Sequence, residues 1–387
     1  MRSFLTPTRI AIDGNEANTV NRVGSNIYAY EILRQLEVIT RTTRKCYHIT
    51  ILLSAPPVGD MPTARPGFDY RVVGPAFGWT QLALPLYLFV HRQDFEVFFT
   101  PGHYAPRFCS LPYVSSVMDL AFLHFPNQFR PRDLYQLTHW TAYSVKRAAA
   151  IVTISQFSKK AIGQIYGVAS DKILVAPPGL SQTLQPVGQA KVRELLNCLG
   201  VGKNFFFYLG TLQPRKNLVR LVEAFEIFSF QVDEEKKTPV QLVLAGKKGW
   251  LTGELEEKVE QSPFRDRIIM AGFVSEESKR ALLQASLANF NLGLHEGFGI
   301  PALEALSMGT LPVVASTSSL PEVVGSCGLQ VDPNQTEDIA AIMQEIVTHR
   351  DKIKEKLLAN RAAQLAKFTY EKSANQILSL LARIAKK

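Results

Sequence analysis

Three things are missing from this 387-residue chain: paired cysteines, a dinucleotide-binding glycine turn and a membrane-spanning apolar run. Its four cysteines, Cys46, Cys109, Cys198 and Cys327, are scattered without CxxC spacing, which argues against a disulfide framework or zinc ribbon and leaves reduced cytoplasmic thiols as the expectation. The most apolar window, Leu82 to Val90, contains Pro85 and is less than half of the roughly twenty residues needed to cross a bilayer. Around Phe4-Leu5, between Arg2 and Arg9, the apolar stretch is too short for a secretion signal, so no targeting peptide is expected. No Gly-x-Gly-x-x-Gly follows the first strand, which weighs against a dinucleotide-dependent oxidoreductase. No Asp-x-Asp occurs, so a common carboxylate pair for holding Mg²⁺ or Mn²⁺ on a diphosphate is absent and no metal is expected. Aromatic-basic RNA-binding signatures are also missing, and Lys and Arg are spread along the chain. The formal charge of +9 therefore points away from nucleic acid and toward phosphorylated ligands or peripheral contact with an acidic membrane.

What is present is the composition of a folded globular protein, 46% apolar and 20% charged, too long for one hydrophobic core. Two domains of roughly 180 residues follow from that length. Short apolar runs alternate with amphipathic helical stretches throughout, the pattern of an α/β fold with parallel strands. Strands are expected at Arg9 to Gly14, His48 to Leu53, Val97 to Thr100, Val114 to Val117, Ala150 to Ile154 and Lys172 to Val175, with a helix from Ser25 to Glu37. Pro177-Pro178-Gly179-Leu180 ends this half. After a helix from Val187 to Leu199 the alternation restarts, with strands at Phe205 to Leu209, Gln241 to Ala245, Ile268 to Met270, Ala288 to Asn291 and Leu311 to Ala315. Helices are expected between them at Asn217 to Phe230, Ser275 to Gln284 and Pro301 to Met308. The expected division is residues 1–185, 186–366 and a closing amphipathic helix in 367–387, with a cleft between the two halves where strand carboxyl ends meet helix N-termini.

The stretch Glu296-Gly297-Phe298-Gly299-Ile300-Pro301-Ala302-Leu303-Glu304 reads as a glycine-flanked loop that enters a helix at Pro301, a residue suited to a first helical position. Loop amides and a helix N-terminus can face a phosphate, while the two carboxylates can accept hydrogen bonds from sugar hydroxyls. That combination suggests a sugar nucleotide, although an ordinary loop-to-helix junction with Glu304 near the helix dipole would read the same. Strand Phe205 to Leu209 runs into Gly210-Thr211-Leu212-Gln213-Pro214-Arg215-Lys216-Asn217, which sets two cations at a strand end beside a helix start. They suit a diphosphate, since Arg offers a planar fork and Lys a compact charge; a solvated basic turn is the alternative. Gly246-Lys247-Lys248-Gly249 is better read as surface lysines. Ser155 and Ser158 look like helix caps.

The second half resembles the nucleotide-sugar domain of family 4 retaining glycosyltransferases, which have the GT-B fold of two Rossmann-like doubly wound parallel-sheet domains facing across a cleft. The resemblance rests on Gly210 to Asn217, Leu242 to Gly246, Ala271 to Val274, Glu296 to Ala305, Pro312 to Ala315 and Leu320 to Gly325. In the first half it extends to Asn21 to Gly24, Phe99 to His103 and Thr153 to Lys159, and at the end to Phe368-Thr369-Tyr370. It implies that Lys216 and Arg215 hold the donor diphosphate, that Glu296 bonds the transferred sugar and that Glu304 bonds the ribose. Thr211, Gly24 and the amides of Phe298, Gly299 and Ile300 would complete the donor pocket. The co-substrate implied is a GDP- or UDP-linked sugar, with GDP-mannose the best single guess because this Pro-Arg-Lys-Asn form resembles that of O-antigen and polysaccharide mannosyltransferases. A glycan or lipid-linked acceptor would receive the hexose in the cytoplasm or at the inner membrane face. One position departs from the family: Met118 stands where a histidine is common before Asp-Leu, which leaves His103 or His124 as substitutes and keeps a catalytically silent sugar-nucleotide binder as the alternative.

Overall fold

The computed structural model describes residues 7–43, 46–181, 184–234 and 239–386; the opening stretch with Arg2, Phe4 and Leu5 lies outside the described residues. The chain divides into two compact units, one reaching Gly179 and resuming at Thr369, the other Leu180–Phe368.

In the first unit seven parallel strands form one sheet: β1 (Thr8–Asp13), β2 (Tyr47–Leu53), β3 (Phe68–Val72), β4 (Val97–Thr100), β5 (Tyr113–Ser116), β6 (Ala150–Thr153) and β7 (Ile173–Val175), in the order β3-β2-β1-β4-β5-β6-β7. Central strands of such a sheet are covered on both faces and so read as continuous apolar runs. Alternate residues of β1 accordingly go to opposite layers. Ile10 and Ile12 pack with helix Ser25–Thr42 and the terminal helix Tyr370–Ala385, whereas Ala11 packs with Leu52, Phe98 and Leu84 on the other side. The terminal helix buries Ile377, Leu381 and Ile384 in this unit, and its Thr369 caps the Lys372 amide at 3.2 Å. Gly179 lets the chain pass close beneath it, because a Cβ there would stand 2.5 Å from the Tyr370 nitrogen.

The second unit has six parallel strands: β8 (Phe205–Leu209), β9 (Gln241–Ala245), β10 (Ile268–Gly272), β11 (Ala288–Asn291), β12 (Leu311–Ala315) and β13 (Leu329–Val331), in the order β10-β9-β8-β11-β12-β13. The order reverses between β8 and β11, which are paired, and a crevice opens at the carboxyl ends of strands at such a switch point. Three consecutive phenylalanines anchor β8: Phe206 meets Phe228 and Phe290 at centroid distances of 5.4 and 5.3 Å, while Phe205 and Phe207 face the opposite layer.

Where β8 and β9 end, Gly210 and Gly246 take φ values of 151° and 148° and lie back to back, so that a Cβ on Gly246 would sit 1.9 Å from the Gly210 carbonyl oxygen. No side chain can yield to relieve that contact. Gly246→Ala is expected to destabilise the second unit by about 2 to 4 kcal/mol in urea unfolding. Gly188→Ala, where the added methyl meets nothing within 4 Å, should leave it unchanged.

Candidate active site

Both halves of the site grow from the switch point. After β8 the chain makes a 3₁₀ turn over Pro214–Lys216, with the proline in its first turn, and Asn217 adopts a left-handed φ of 61° before helix Leu218–Glu234. Asn is among the residues that tolerate this conformation, and its side chain holds it there by donating to the Pro333 carbonyl at 2.6 Å. After β11 the loop Leu292 to Gly299 leads into helix Ile300–Ser307. Backbone contacts stitch the loops together: the Leu294 amide donates to the Arg215 carbonyl at 2.9 Å, and Arg215 Nη1 donates to the His295 carbonyl at 3.1 Å. The Ser319 hydroxyl, after β12, bridges the carbonyls of Glu296 and Phe298 at 2.8 and 2.9 Å.

This framework brings Arg215, Lys216 and Glu296 together. Lys216 Nζ donates to Glu296 Oε1 at 2.5 Å, and Arg215 Nη1 stands 3.8 Å from Glu296 Oε2. Gly293 makes room for the carboxylate, since a Cβ there would fall 2.5 Å from Oε1. Beneath them Tyr208 is buried and donates to the Thr211 carbonyl at 3.1 Å; burial, then the nearby Glu296 charge, pushes its phenol well up, so it stays protonated. Two cations thus reach one partly buried carboxylate at a strand end. An ammonium with three donors can serve the carboxylate and a phosphate oxygen together.

Glu304 occupies a second ion pair in the same unit. Its side chain is 12% exposed, and Oε1 accepts from Lys279 Nζ at 2.8 Å, with Lys279 also reaching Glu276 Oε2 at 2.8 Å. Burial raises the Glu304 carboxyl above the ordinary glutamate range, and Lys279 works against that rise. For Lys279 burial acts to lower the pKa, but Glu304 and Glu276 outweigh it and the net direction is up. Lys279 did not stand out in the sequence; its only signal is the i,i+3 spacing from Glu276 on helix Glu276–Ala285, which Ser275 caps. Between the pairs, Gly299 has φ 105° at the start of helix Ile300–Ser307, and Phe298 is buried against Phe368 at 5.2 Å. Among the described residues the amides of Phe298, Gly299 and Ile300 have no hydrogen-bond acceptor. Lys248 instead lies at the surface, paired with Glu256 at 2.6 Å.

Gly24 belongs to the first unit, at the N-terminus of helix Ser25–Thr42 with φ 51° and open space where a Cβ would go. Met118 is buried in that unit's core. His103 meets Phe122 edge-on at 6.4 Å, and its Nδ1 is buried without a partner. Ser155 caps helix Gln156–Tyr166 through the Ser158 amide at 3.0 Å, whereas the Ser158 hydroxyl donates to the Met118 carbonyl instead. At the end of β1, burial pushes the Asp13 carboxyl up to about 6, opposed by the Asn15 amide at 3.1 Å. The folded state then binds this proton more tightly than the unfolded chain, so stability falls as pH rises from 3.8 to about 6. The full shift would be worth about 3 kcal/mol, and partial exposure reduces it to about 1 to 2 kcal/mol. Asp13→Asn should therefore stabilise the protein by about that amount near neutral pH and by little at about pH 4, as measured by denaturant unfolding at both.

Residues 199–365 match the family described as Glycosyl transferases group 1. O-antigen chain mannosyltransferase B of Escherichia coli is 28% identical over 286 residues, 73% of either chain. A GDP-mannose-dependent alpha-(1-6)-phosphatidylinositol dimannoside mannosyltransferase of Mycobacterium tuberculosis is 32% identical over 180 residues, 46% of this chain and 44% of that protein. Among solved structures, Anabaena HepE in complex with UDP and glucose superposes with a TM-score of 0.72 at 17% identity, covering 97% of this chain and 100% of that one. Over residues 199–365 the chain is therefore similar to the group 1 glycosyl transferases, and its two parallel-sheet units have the GT-B fold.

Proposed function

We propose that the protein is a retaining mannosyltransferase that moves mannose from GDP-mannose to a hydroxyl of a glycan or lipid-linked acceptor. The observation that carries this reading is the convergence of Arg215 and Lys216 with Glu296 at the reversal between β8 and β11. Arg215 and Lys216 neutralise the diphosphate as it departs, which stabilises charge that develops only in the transition state and needs no metal to do so. Glu296, already holding Lys216, orients the mannose hydroxyls. Glu304 accepts from the ribose diol, with Lys279 opposing the rise that burial gives its carboxyl. The amides of Phe298, Gly299 and Ile300, with Thr211, complete the part of the donor pocket that the second unit supplies. The bond from the sugar C1 to the β-phosphate oxygen breaks as the acceptor oxygen bonds to C1 on the same face, and the acceptor proton passes to the departing phosphate. The relatives named for mannose support the sugar, and the GDP-dependent one supports the base. Four free cysteines fit a reducing cytoplasm.

A thermal-shift panel of nucleotide sugars followed by hydrolysis of the best donor tests this. GDP-mannose should give the largest stabilisation and turn over. Stabilisation by GDP with neither hydrolysis nor transfer would favour the second reading, a silent sugar-nucleotide binder, which the core position of Met118 motivates.

A further inference from the structure

We propose that the first unit carries a saccharide-binding groove, walled by Tyr135, His139, Trp140 and Tyr143, which holds the glycan chain of an acceptor. Its volume is about 220 Å³, and Gln81 and Arg107 help to line it. The four rings come from one helical stretch, Pro131–Tyr135 continued by Thr141–Arg147, whose middle segment Gln136–Trp140 is wound as a π-helix. Widened turns of this kind occur mostly at functional sites. Tyr135 and His139 lie with ring centroids 4.4 Å apart and planes inclined by 46°, and Trp140 meets Tyr104 edge-on at 5.0 Å. The remaining wall is the loop after β4, fastened by the Ala105 amide on Ser144 Oγ at 2.8 Å and by the Tyr143 hydroxyl on the Arg107 carbonyl. Glu16, after β1, lies against the same loop, since a Cβ on Gly102 would stand 3.6 Å from its Cγ. The first sheet reverses its order between β1 and β4, where a ligand crevice opens at the strand carboxyl ends. The groove thus starts beside that unit's own switch point.

The occupant follows from the lining. Gln81 accepts from the Arg107 amide through Oε1 at 3.1 Å, and Arg107 itself lies over the Tyr143 ring at 5.8 Å. Among the described residues the Gln81 NH₂, the Arg107 guanidinium, the His139 ring and the Trp140 indole make no hydrogen bond, and no carboxylate lines the groove. A partly buried indole ordinarily has an acceptor, so this set of donors calls for a ligand rich in hydroxyl oxygens. The rings supply the other half of the chemistry. The C–H face of a pyranose packs on the negative face of an aromatic ring, while its hydroxyls reach outward to the donors. A flat nucleobase wants parallel faces on either side, whereas the paired rings here are inclined by 46° and 90°, facets that suit a puckered ring. The inference rests on the transferase reading for the role of the bound chain, and it deepens that reading by making a saccharide the part of the acceptor that is recognised. Its readout is saccharide binding and does not involve the donor.

Calorimetric titration of the full chain with oligosaccharides, no donor present, tests this. An α-linked mannotetraose should bind at least about tenfold more tightly than methyl α-mannoside, because a chain reaches several rings at once. Binding of maltotetraose in its place would support the groove with a different sugar. Tryptophan emission should change as the tetraose binds; Trp140→Phe should abolish that change and Trp250→Phe, in the second unit, should keep it. The double variant Tyr135→Ala with His139→Ala, at two solvent-exposed positions, should bind the tetraose at least about tenfold more weakly at wild-type Tm. Arg107→Gln, a surface change, should weaken binding as well. Wild-type protein that binds neither tetraose would overturn the proposal. So would a double variant that binds unchanged, or an emission change that survives in Trp140→Phe. Failure of donor hydrolysis would instead count against the transferase reading and leave saccharide binding as it stands.

Discussion

Lys216→Ala is expected to lower kcat/KM for the donor by about 10² to 10³-fold, the range found when one preorganised donor is removed from a developing negative charge. Most of the loss should fall on kcat, because the ammonium contributes more as the diphosphate separates from the sugar than it does in the ground state. The substitution also leaves Glu296 with only Arg215, 3.8 Å away, as a cationic neighbour among the contacts of this cluster. That second effect is separable. The double variant Lys216→Ala with Glu296→Gln removes the stranded carboxylate along with its partner. If the two residues work as one unit, the double variant should be scarcely slower than Lys216→Ala alone. Activity measured as GDP release from GDP-mannose at saturating and limiting donor gives both constants. Wild-type kcat in Lys216→Ala would remove the leaving-group role.

Glu304 should behave differently, because its partner is the nucleoside and not the departing charge. Glu304→Gln is expected to raise the donor KM by about 10 to 100-fold with a smaller change in kcat, the cost of losing charged acceptors from two hydroxyls. The sign of the pH dependence is fixed by burial, which raises the Glu304 carboxyl above the ordinary glutamate range. Donor affinity is therefore full while Glu304 is ionised, and falls as pH drops through that raised pKa. Lys279→Met removes the cation 2.8 Å from Oε1, so the carboxyl should rise further and the acid limb of the KM profile should move to higher pH. A merely structural role for Lys279 would lower Tm without moving that limb. An acid limb that stays in place in Lys279→Met, or a donor KM untouched in Glu304→Gln, would detach this pair from the nucleotide.

Local signals carried most of the fold. Buried parallel strands such as Phe205–Leu209 and Leu311–Ala315 are unbroken apolar runs, and no helix period competes with them. Elements without that signature escaped. β3 reads Phe-Asp-Tyr-Arg-Val at the sheet edge, where one face meets solvent, and β13 is three residues long and too short for any period. The apolar window at Leu82 to Val90 reads in the sequence only as too short to cross a bilayer; its helical face, with one side buried and the other bare, becomes visible only with Leu84 and Leu88 in the core. At the site the residues themselves were legible because loop chemistry is local: Gly299 with positive φ, Pro301 in a first turn, adjacent cations after a strand. Their grouping was not. Lys216 and Glu296 are 80 positions apart and meet because β8 and β11 pair across the reversal, a fact of strand order that spacing does not encode. Glu304 is held by Lys279, which also reaches Glu276, an arrangement set by how helices Glu276–Ala285 and Ile300–Ser307 pack.

The most direct test of the donor site is a crystal structure of the protein with GDP bound. The diphosphate should lie within hydrogen-bond distance of Lys216 Nζ, the Arg215 guanidinium and the Gly299 and Ile300 amides, with the ribose hydroxyls on Glu304. A nucleotide seated elsewhere, with the Lys216 to Glu296 pair undisturbed and no phosphate beside it, would contradict the account.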